Sequence, residues 1–421
     1  MNRNLLLALG IGAAWFVAGC TESVNNRKGE LAVIDVETAF KQPQELSLND
    51  LGETFTYIPL ETLDESLMKL TSTSNMKVTE RYIFIADNGN PILCFDRKTG
   101  KYLRNIGGVG QGPKEYTNGA SFTIDPIANR IYVSSGAHRF QCYDFEGNFL
   151  ETITCVSHIQ SMLAAYFFAG DKVYHHVNIP DERTTAMTYC YDMKTGQPID
   201  SIEIADKDKP NGERKFVMPA AGTEIFGGRS YLVQYEDSYT YGRQLNSAFW
   251  ANEKELYMKD AFCDTIFQVK DLKQQTPVAV FQMGEYGGYG RFESNTDMKG
   301  KYLIPNLMEG KDCIYFTLYK GLYDFIDLMK ARKSPTEKPS CGVYNKRTGE
   351  LKIQENSMQF KHPLEGMPSA VIFNASTDGA FVVVYQADQL ASAREEIPAN
   401  KQPEWLKQLK DDDNPVILLV Q

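Results

Sequence analysis

Five histidines are all that this chain of 421 residues carries, and the short motifs of the common hydrolases are missing from it. His138, His158, His175, His176 and His362 are too scattered for a multi-histidine metal centre. The adjacent pair His175-His176, placed on a strand, points to opposite faces. Neither Gly-x-Ser-x-Gly nor His-Glu-x-x-His occurs, which removes the nucleophile-elbow hydrolases and the zincins. There is no Cys-x-x-Cys and no His-Cys pair, so a zinc site is disfavoured. The glycine-rich stretch 107–112 lacks the Gly-Lys-Ser/Thr ending of a phosphate loop. It leads into strand-like sequence, so no helix N-terminus is there to hold an anion. Basic runs are absent too, and a formal net charge of −10 without a Lys/Arg cluster excludes nucleic acid as a partner.

What the chain has in quantity is apolar and aromatic side chains. Hydrophobic residues make up 43% of it, with 23 Tyr and 23 Phe, ample for a large core. The start is organised differently: Arg3 is followed by an apolar run over residues 5–17 and then by Val17-Ala18-Gly19-Cys20. That order predicts a secretory signal peptide over residues 1–19. The apolar run is too short for the roughly 20 residues a membrane-spanning helix needs. Small residues directly before a cysteine resemble the lipobox of bacterial lipoproteins, which implies lipidation of Cys20 and attachment to a membrane through that lipid. Residues 20–50 are read as the lipidated cysteine and its tether, and 51–421 as the folded domain.

Eight cysteines, less Cys20, leave an odd number, so at least one stays unpaired. Three fall at one place in a repeat: Cys94-Phe95-Asp96, Cys142-Tyr143-Asp144 and Cys190-Tyr191-Asp192. Equivalent positions of radially arranged repeats cannot meet the Cα spacing of a disulfide, so these read as small buried apolar residues. The repeat itself is an alternating strand, a turn and a second strand. Asp96-Arg97-Lys98-Thr99-Gly100 recurs as Asp144-Phe145-Glu146-Gly147, Asp192-Met193-Lys194-Thr195-Gly196 and Asn345-Lys346-Arg347-Thr348-Gly349, with a worn copy ending at Asp271. Asp or Asn bonds the turn backbone and Gly supplies the positive φ, the logic of a hairpin. Other alternating stretches precede each copy, giving three to four strands per unit. Four-stranded units in series predict an all-β fold, a six-bladed β-propeller. The sixth blade draws on both chain ends, with the strand near residue 57 closing the ring in the last blade. Residues 321–333, 388–396 and 404–409 show helical spacing and are read as inserted helices.

The stretch 106–116, Ile-Gly-Gly-Val-Gly-Gln-Gly-Pro-Lys-Glu-Tyr, followed by Phe122-Thr123-Ile124-Asp125, Arg130-Ile131-Tyr132-Val133 and the hairpin at Asp144, resembles an NHL-type propeller repeat. With the lipobox, Tyr57-Ile58-Pro59-Leu60-Glu61 and the closing Asn414-Pro415-Val416, the chain resembles the six-bladed β-propeller lipoproteins of Bacteroides and related bacteria. The resemblance covers about residue 50 to the end and implies a lipid-anchored location in the cell envelope, at the outer membrane. The acidic run after the cysteine that marks surface-exported lipoproteins is reduced to Glu22, which leaves the periplasmic and the surface face both open.

Two glycine loops following outer strands supply the candidate ligand face: Gln111, Lys114 and Tyr116 in the first, Tyr286, Tyr289 and Arg291 in the second. Tyrosine on a flexible loop offers a flat face with a polar tip, suited to a glycan, a peptide or an envelope protein. The competing reading is tyrosine packed between blades. The expected function is therefore a non-catalytic binding module, with no catalytic residue assigned. The alternative is an envelope hydrolase or lyase whose carboxylates converge in the central channel, with calcium as the ion such a site would take.

Overall fold

The computed structural model describes residues 31–421 apart from 72–73, 137, 156–164, 178–179, 181–183, 206–208, 210–211, 220–229, 237, 244–247, 253, 289–290, 292–299 and 321–337. The expected signal peptide, Cys20, Tyr289 and the helix expected over 321–333 lie outside the described residues. The described chain is all-β and propeller-like, built from seven mainly antiparallel sheets whose strands follow one another in sequence, except for one N-terminal strand added to each of two sheets.

Sheet I holds Asn75–Val78, Tyr82–Ala86, Ile92–Asp96 and Tyr102–Ile106. Sheet II holds Phe122–Asp125, Arg130–Ser134, Arg139–Asp144 and Phe149–Thr154. Sheet III holds Ala165–Ala169, Lys172–His176, Ala186–Asp192 and Pro198–Glu203. Sheet IV has three strands, Phe216–Pro219, Ser230–Gln234 and Tyr239–Arg243. Sheet V holds Phe249–Asn252, Glu255–Met258, Thr265–Asp271 and Gln274–Gln282. Sheet VI holds Tyr302–Glu309, Cys313–Lys320, Ser340–Asn345 and Leu351–Gln354. Sheet VII holds Ile372–Ala375, Phe381–Tyr385 and Val416–Val420, and its fourth strand is Phe55–Pro59, paired antiparallel with Val416–Val420.

The repeated hairpins form as their turn chemistry predicts. Asp96 Oδ1 accepts the Thr99 amide at 2.8 Å and the Thr99 hydroxyl at 2.7 Å, and Asp192 does the same with Thr195 at 2.7 Å each. Those hydroxyl bonds hold both carboxyls below their ordinary pKa. Gly100 and Gly196 follow at φ 71° and 67°. A Cβ at either would also strike a neighbouring sheet, 2.0 Å from the Pro59 carbonyl oxygen and 1.9 Å from that of Thr154. Each glycine is thus needed both for its turn and for the close approach of two sheets.

Apolar side chains alternate to the two faces of each sheet and pack against the next. Ile58, Val382 and Ile417 of sheet VII meet Met76, Ile83 and Phe95 of sheet I. Phe84 and Cys94 of sheet I meet Phe122 and Ile131 of sheet II. Tyr132 of sheet II stacks on Phe168 of sheet III at 3.8 Å, a pair contributing about 0.5–1.5 kcal/mol beyond its buried area. Tyr174 and Cys190 of sheet III pack directly on Phe249, Leu256 and Met258 of sheet V. Sheets V and VI share Phe281, Ile304 and Phe316, and sheets VI and VII share Tyr315, Val343, Phe381 and Val383. Sheet IV, which the repeat did not predict, has its own small cluster of Val217, Tyr231, Val233 and Tyr235. The first strands are also stitched together: Asn374 donates to the Met76 carbonyl at 2.6 Å, Asn75 to that of Phe122 at 2.7 Å, and Asp125 accepts the Gly170 amide at 2.7 Å.

Residues 31–50 correct the expectation of a tether. Ala32–Asp35 adds to sheet V as a parallel strand beside Gln274–Gln282, with Ile34 buried and Val33 exposed. Helix α1 (Val36–Phe40) buries Val36 and Phe40, and the chain then crosses sheet VI, where the Gln44 amide donates to Ile353 O at 2.7 Å. Leu46, Leu48 and Leu51 are buried in the cluster between sheets VI and VII. Two predicted helices are present as α2 (Ala387–Ala393) and α3 (Glu404–Gln408), which seat Leu390 and Leu406 in that same cluster. No helix among the described residues is long and apolar enough to cross a membrane.

All seven described cysteines are free, and Cys94, Cys142 and Cys190 are buried, as the repeat predicts. Burial pushes the Cys94 thiol up to about 12 and those of Cys142 and Cys190 to about 11. A thiol reagent at neutral pH is therefore expected to modify at most half-buried Cys263 in the native protein and all seven thiols in denaturant. Rapid reaction of several thiols without denaturant would contradict this packing.

Candidate functional site

The two loops expected to carry a ligand face do different work. The stretch 107–116 folds back on itself, the Tyr116 amide bonding Gly108 O at 3.1 Å and the Gly112 amide bonding Glu115 Oε2 at 2.7 Å. Tyr116 is buried, against expectation. Its hydroxyl donates to Ile106 O at 2.5 Å and accepts the Ile92 amide at 3.0 Å, and its ring meets Tyr143 edge-on at 6.1 Å. A ring with its only polar atom satisfied inside wedges sheets I and II together. Gln111 and Lys114 are exposed, with Lys114 Nζ 5.6 Å above the Phe149 ring. In the second loop Tyr286 is half-buried, 4.8 Å from the Phe40 ring of helix α1, so it too packs.

Arg291 is buried as well, and it reveals a cluster that the sequence did not. Its guanidinium pairs with Asp260 and lies 4.3 Å over the Phe262 ring. Asp260 follows the second strand of sheet V, and its Oδ2 also bonds His176 Nε2 at 2.6 Å, at the end of the second strand of sheet III. Its Oδ1 accepts the Phe262 amide at 2.6 Å. A carboxylate only accepts, so His176 Nε2 carries the proton, while Nδ1 sits 2.9 Å from the Thr188 hydroxyl. Burial pushes the Asp260 pKa up, yet the charges of Arg291 and His176 outweigh it and hold the carboxyl well below its usual range. Beside it, buried Lys259 donates to the carbonyls of Asp260 and Ile304 at 3.0 Å each, and burial lowers its pKa to about 8. With both carboxylate oxygens and both imidazole nitrogens engaged inside the protein, this cluster joins sheet III, sheet V and the chain entering sheet VI. His175, on the other face of its strand, is fully buried against Tyr166 at 4.6 Å, and neither ring nitrogen has a hydrogen-bond partner among the described residues.

The opposite ends of the first strands are open. There a cavity of about 1190 Å³ gathers the turns between first and second strands of sheets I, II, V, VI and VII, together with the Asp144 and Lys346 hairpins. Its walls are charged, and many of the charges are already matched. Asp378 pairs with Arg97 at 2.8 Å and accepts the Ser376 hydroxyl at 2.6 Å. Burial raises the Asp378 pKa, but the arginine and serine contacts bring it below the ordinary value. Glu146 pairs with Arg104 and accepts the Tyr82 hydroxyl, each at 2.6 Å, and Lys346 pairs with Glu309 at 3.0 Å. Glu80, Arg81, Lys254 and Lys311 are exposed at the rim without an ion-pair partner among the described residues. Asp378, held ionised by its arginine and serine contacts, is not poised as an acid, and no group of three or more His, Cys, Asp or Glu that could hold a metal stands among the described residues. The rim residues could have been found from sequence, because Asn129, Lys254, Lys311 and Asp378 all sit at the turn after the first strand of a repeat unit.

No curated protein matches the chain. Among solved structures, one described as an exported protein of Bacteroides fragilis has the same fold. It shows a TM-score of 0.61 at 14% identity, covering 93% of this chain and 99% of that one. A member of the DUF4221 family from Bacteroides vulgatus is more distant, with a TM-score of 0.46 at 12% identity over 88% of this chain and 96% of the other. A family model matches residues 31–421, and by that match the chain belongs to the family described as Domain of unknown function (DUF4934).

Proposed function

We propose that this chain is an exported, lipid-anchored propeller that binds a ligand at the mouth of its central channel. In this reading six sheets form the ring, in the order VII, I, II, III, V, VI, and the strand Phe55–Pro59 closes it. Sheet IV is an insertion standing outside the ring. Support for the count comes from the six interfaces that pair consecutive sheets while sheet IV keeps its own cluster. Support for export comes from the signal-like residues 1–19, the lipobox at Cys20 and a fold shared with an exported protein.

The observation that carries the binding role is the 1190 Å³ cavity where turns of five sheets meet. Its concave shape and the polar groups that converge on it suit a ligand site. A photocrosslinking residue at Asn252, on the cavity wall, should capture the ligand in cells, whereas the same residue at Ile199, 54% exposed on an outer strand, should not. Identical adducts from both positions would remove the mouth as the binding site.

The anchor has its own test. Cys20→Ala should abolish incorporation of labelled palmitate and move the protein from the detergent to the aqueous phase of a Triton X-114 separation. Retained label would place the lipid elsewhere. In this reading residues 21–31 join Cys20 to the strand that begins at Ala32 and can span at most about 40 Å.

A further inference from the structure

We infer that the channel mouth selects a dipolar peptide segment, its acidic group seated on the sheet V–VI side and its basic group on the sheet I–II side. This rests on the six-sheet ring proposed above and deepens it. In that ring the I–II edge and the V–VI edge lie diametrically across the channel, so residues on their turns face one another over the mouth.

The charges divide along that line. On the V–VI side stand Lys254, Lys311 and Lys346, with only Lys346 matched, by Glu309, leaving two basic charges in excess. On the I–II side stand Glu80, Asp144 and Glu146, against Arg81 on the cavity wall and Arg104 paired with Glu146, leaving one acidic charge in excess. Asp378 of sheet VII is matched by Arg97 and adds nothing to either side. A pair of unmatched lysines is a local reversal in a chain whose formal net charge is −10. A polyanion would gain from Lys254 and Lys311 but meet the acidic side, and a neutral sugar would leave both lysines unused. A peptide with charges of both signs satisfies both walls, the complementarity that sets specificity at charged surfaces.

The test uses the full-length protein in detergent and fluorescence anisotropy with three labelled peptides of equal length on a Gly/Ser background. One carries an Asp block and a Lys block, one Asp only, one Lys only. The two-block peptide is expected to bind at least about tenfold tighter than either single-sign peptide, more weakly as salt rises. The double variant Lys254→Glu, Lys311→Glu should remove about that tenfold preference, and Lys311→Glu alone part of it. Both side chains are exposed, so an unchanged unfolding midpoint checks that the variants fold. Equal binding of all three peptides, binding of the Asp-only peptide alone, or no binding would overturn the inference. If the Asn252 crosslink persists while the peptides fail, only the ligand class falls. If the crosslink is lost too, the mouth falls with it.

Discussion

Replacing Asp260 with alanine should lower the stability of the protein by about 3–5 kcal/mol, read as a shift of the urea midpoint at pH 7.5. The substitution removes the one carboxylate that meets both buried Arg291, whose side chain is 4% exposed, and His176, at 6%. Both would lose a charged acceptor in a site closed to water, and removing one member of a buried pair costs far more than the net contribution of the pair. Asp260→Asn, which keeps one acceptor, should fall between wild type and alanine. The effect should not stay local, because Asp260, His176 and Arg291 come from sheet V, sheet III and the segment leading into sheet VI. A shift below about 1 kcal/mol would show that water or rearrangement compensates the charges, and that the cluster does not hold these sheets together.

His175→Phe should leave the protein at least as stable at pH 7.5 and clearly more stable than wild type in acid. Burial lowers the pKa of His175 to about 3, and that of His362 to about 4. The sign follows from the free imidazole value near 6.5. Above that value both states are neutral and pH has no effect through these groups. As pH falls below it, the unfolded chain gains protons that the folded chain refuses until its own lower pKa, so stability is lost. At pH 4.5 the loss through His175 is about 3 kcal/mol, since two pH units separate that condition from the unfolded value. Phenylalanine keeps the ring against Tyr166 and removes both unsatisfied nitrogens and the titration. His362 differs, because its Nδ1 accepts the Leu364 amide at 2.9 Å and Nε2 reaches the Tyr57 hydroxyl at 2.7 Å, so its replacement loses bonds as well as a titration. Parallel pH dependence in wild type and His175→Phe would mean that His175 is protonated in the folded protein.

The repeat was legible in sequence because hairpin chemistry is local. Asp96, Asp192 and Asn345 each bond within their own turn, so the residues that make the turn are adjacent in the chain. The glycine loops were legible as loops but not as a site, since whether Tyr116 points out or in depends on Ile106 and Ile92 across the fold. Residues 31–50 were misread as tether because Ala32–Asp35 is short and pairs with Ala279 to Gln282, far along the chain. Sheet IV lacks the Asp-to-Gly turn and left no periodic mark. The cluster around Asp260 joins residues contributed by separate sheets, a relation that no local pattern carries. The mouth is the intermediate case. Equivalent turns of a repeat must share a face, so Lys254, Lys311 and Asp378 could be grouped from sequence, while the pairing of Asp378 with Arg97, of Glu146 with Arg104 and of Lys346 with Glu309 could not.

The loop that carries Gln111 precedes the first strand of sheet II and Asn252 ends the first strand of sheet V, so in the proposed ring they sit on opposite faces. Comparing photocrosslinks from these two positions in the same cells tests the central claim most directly. The account predicts a ligand adduct from Asn252 that Gln111 does not give, weakened when Lys254 and Lys311 are reversed. An adduct from Gln111 with none from Asn252 would contradict it and return the binding role to the loop face.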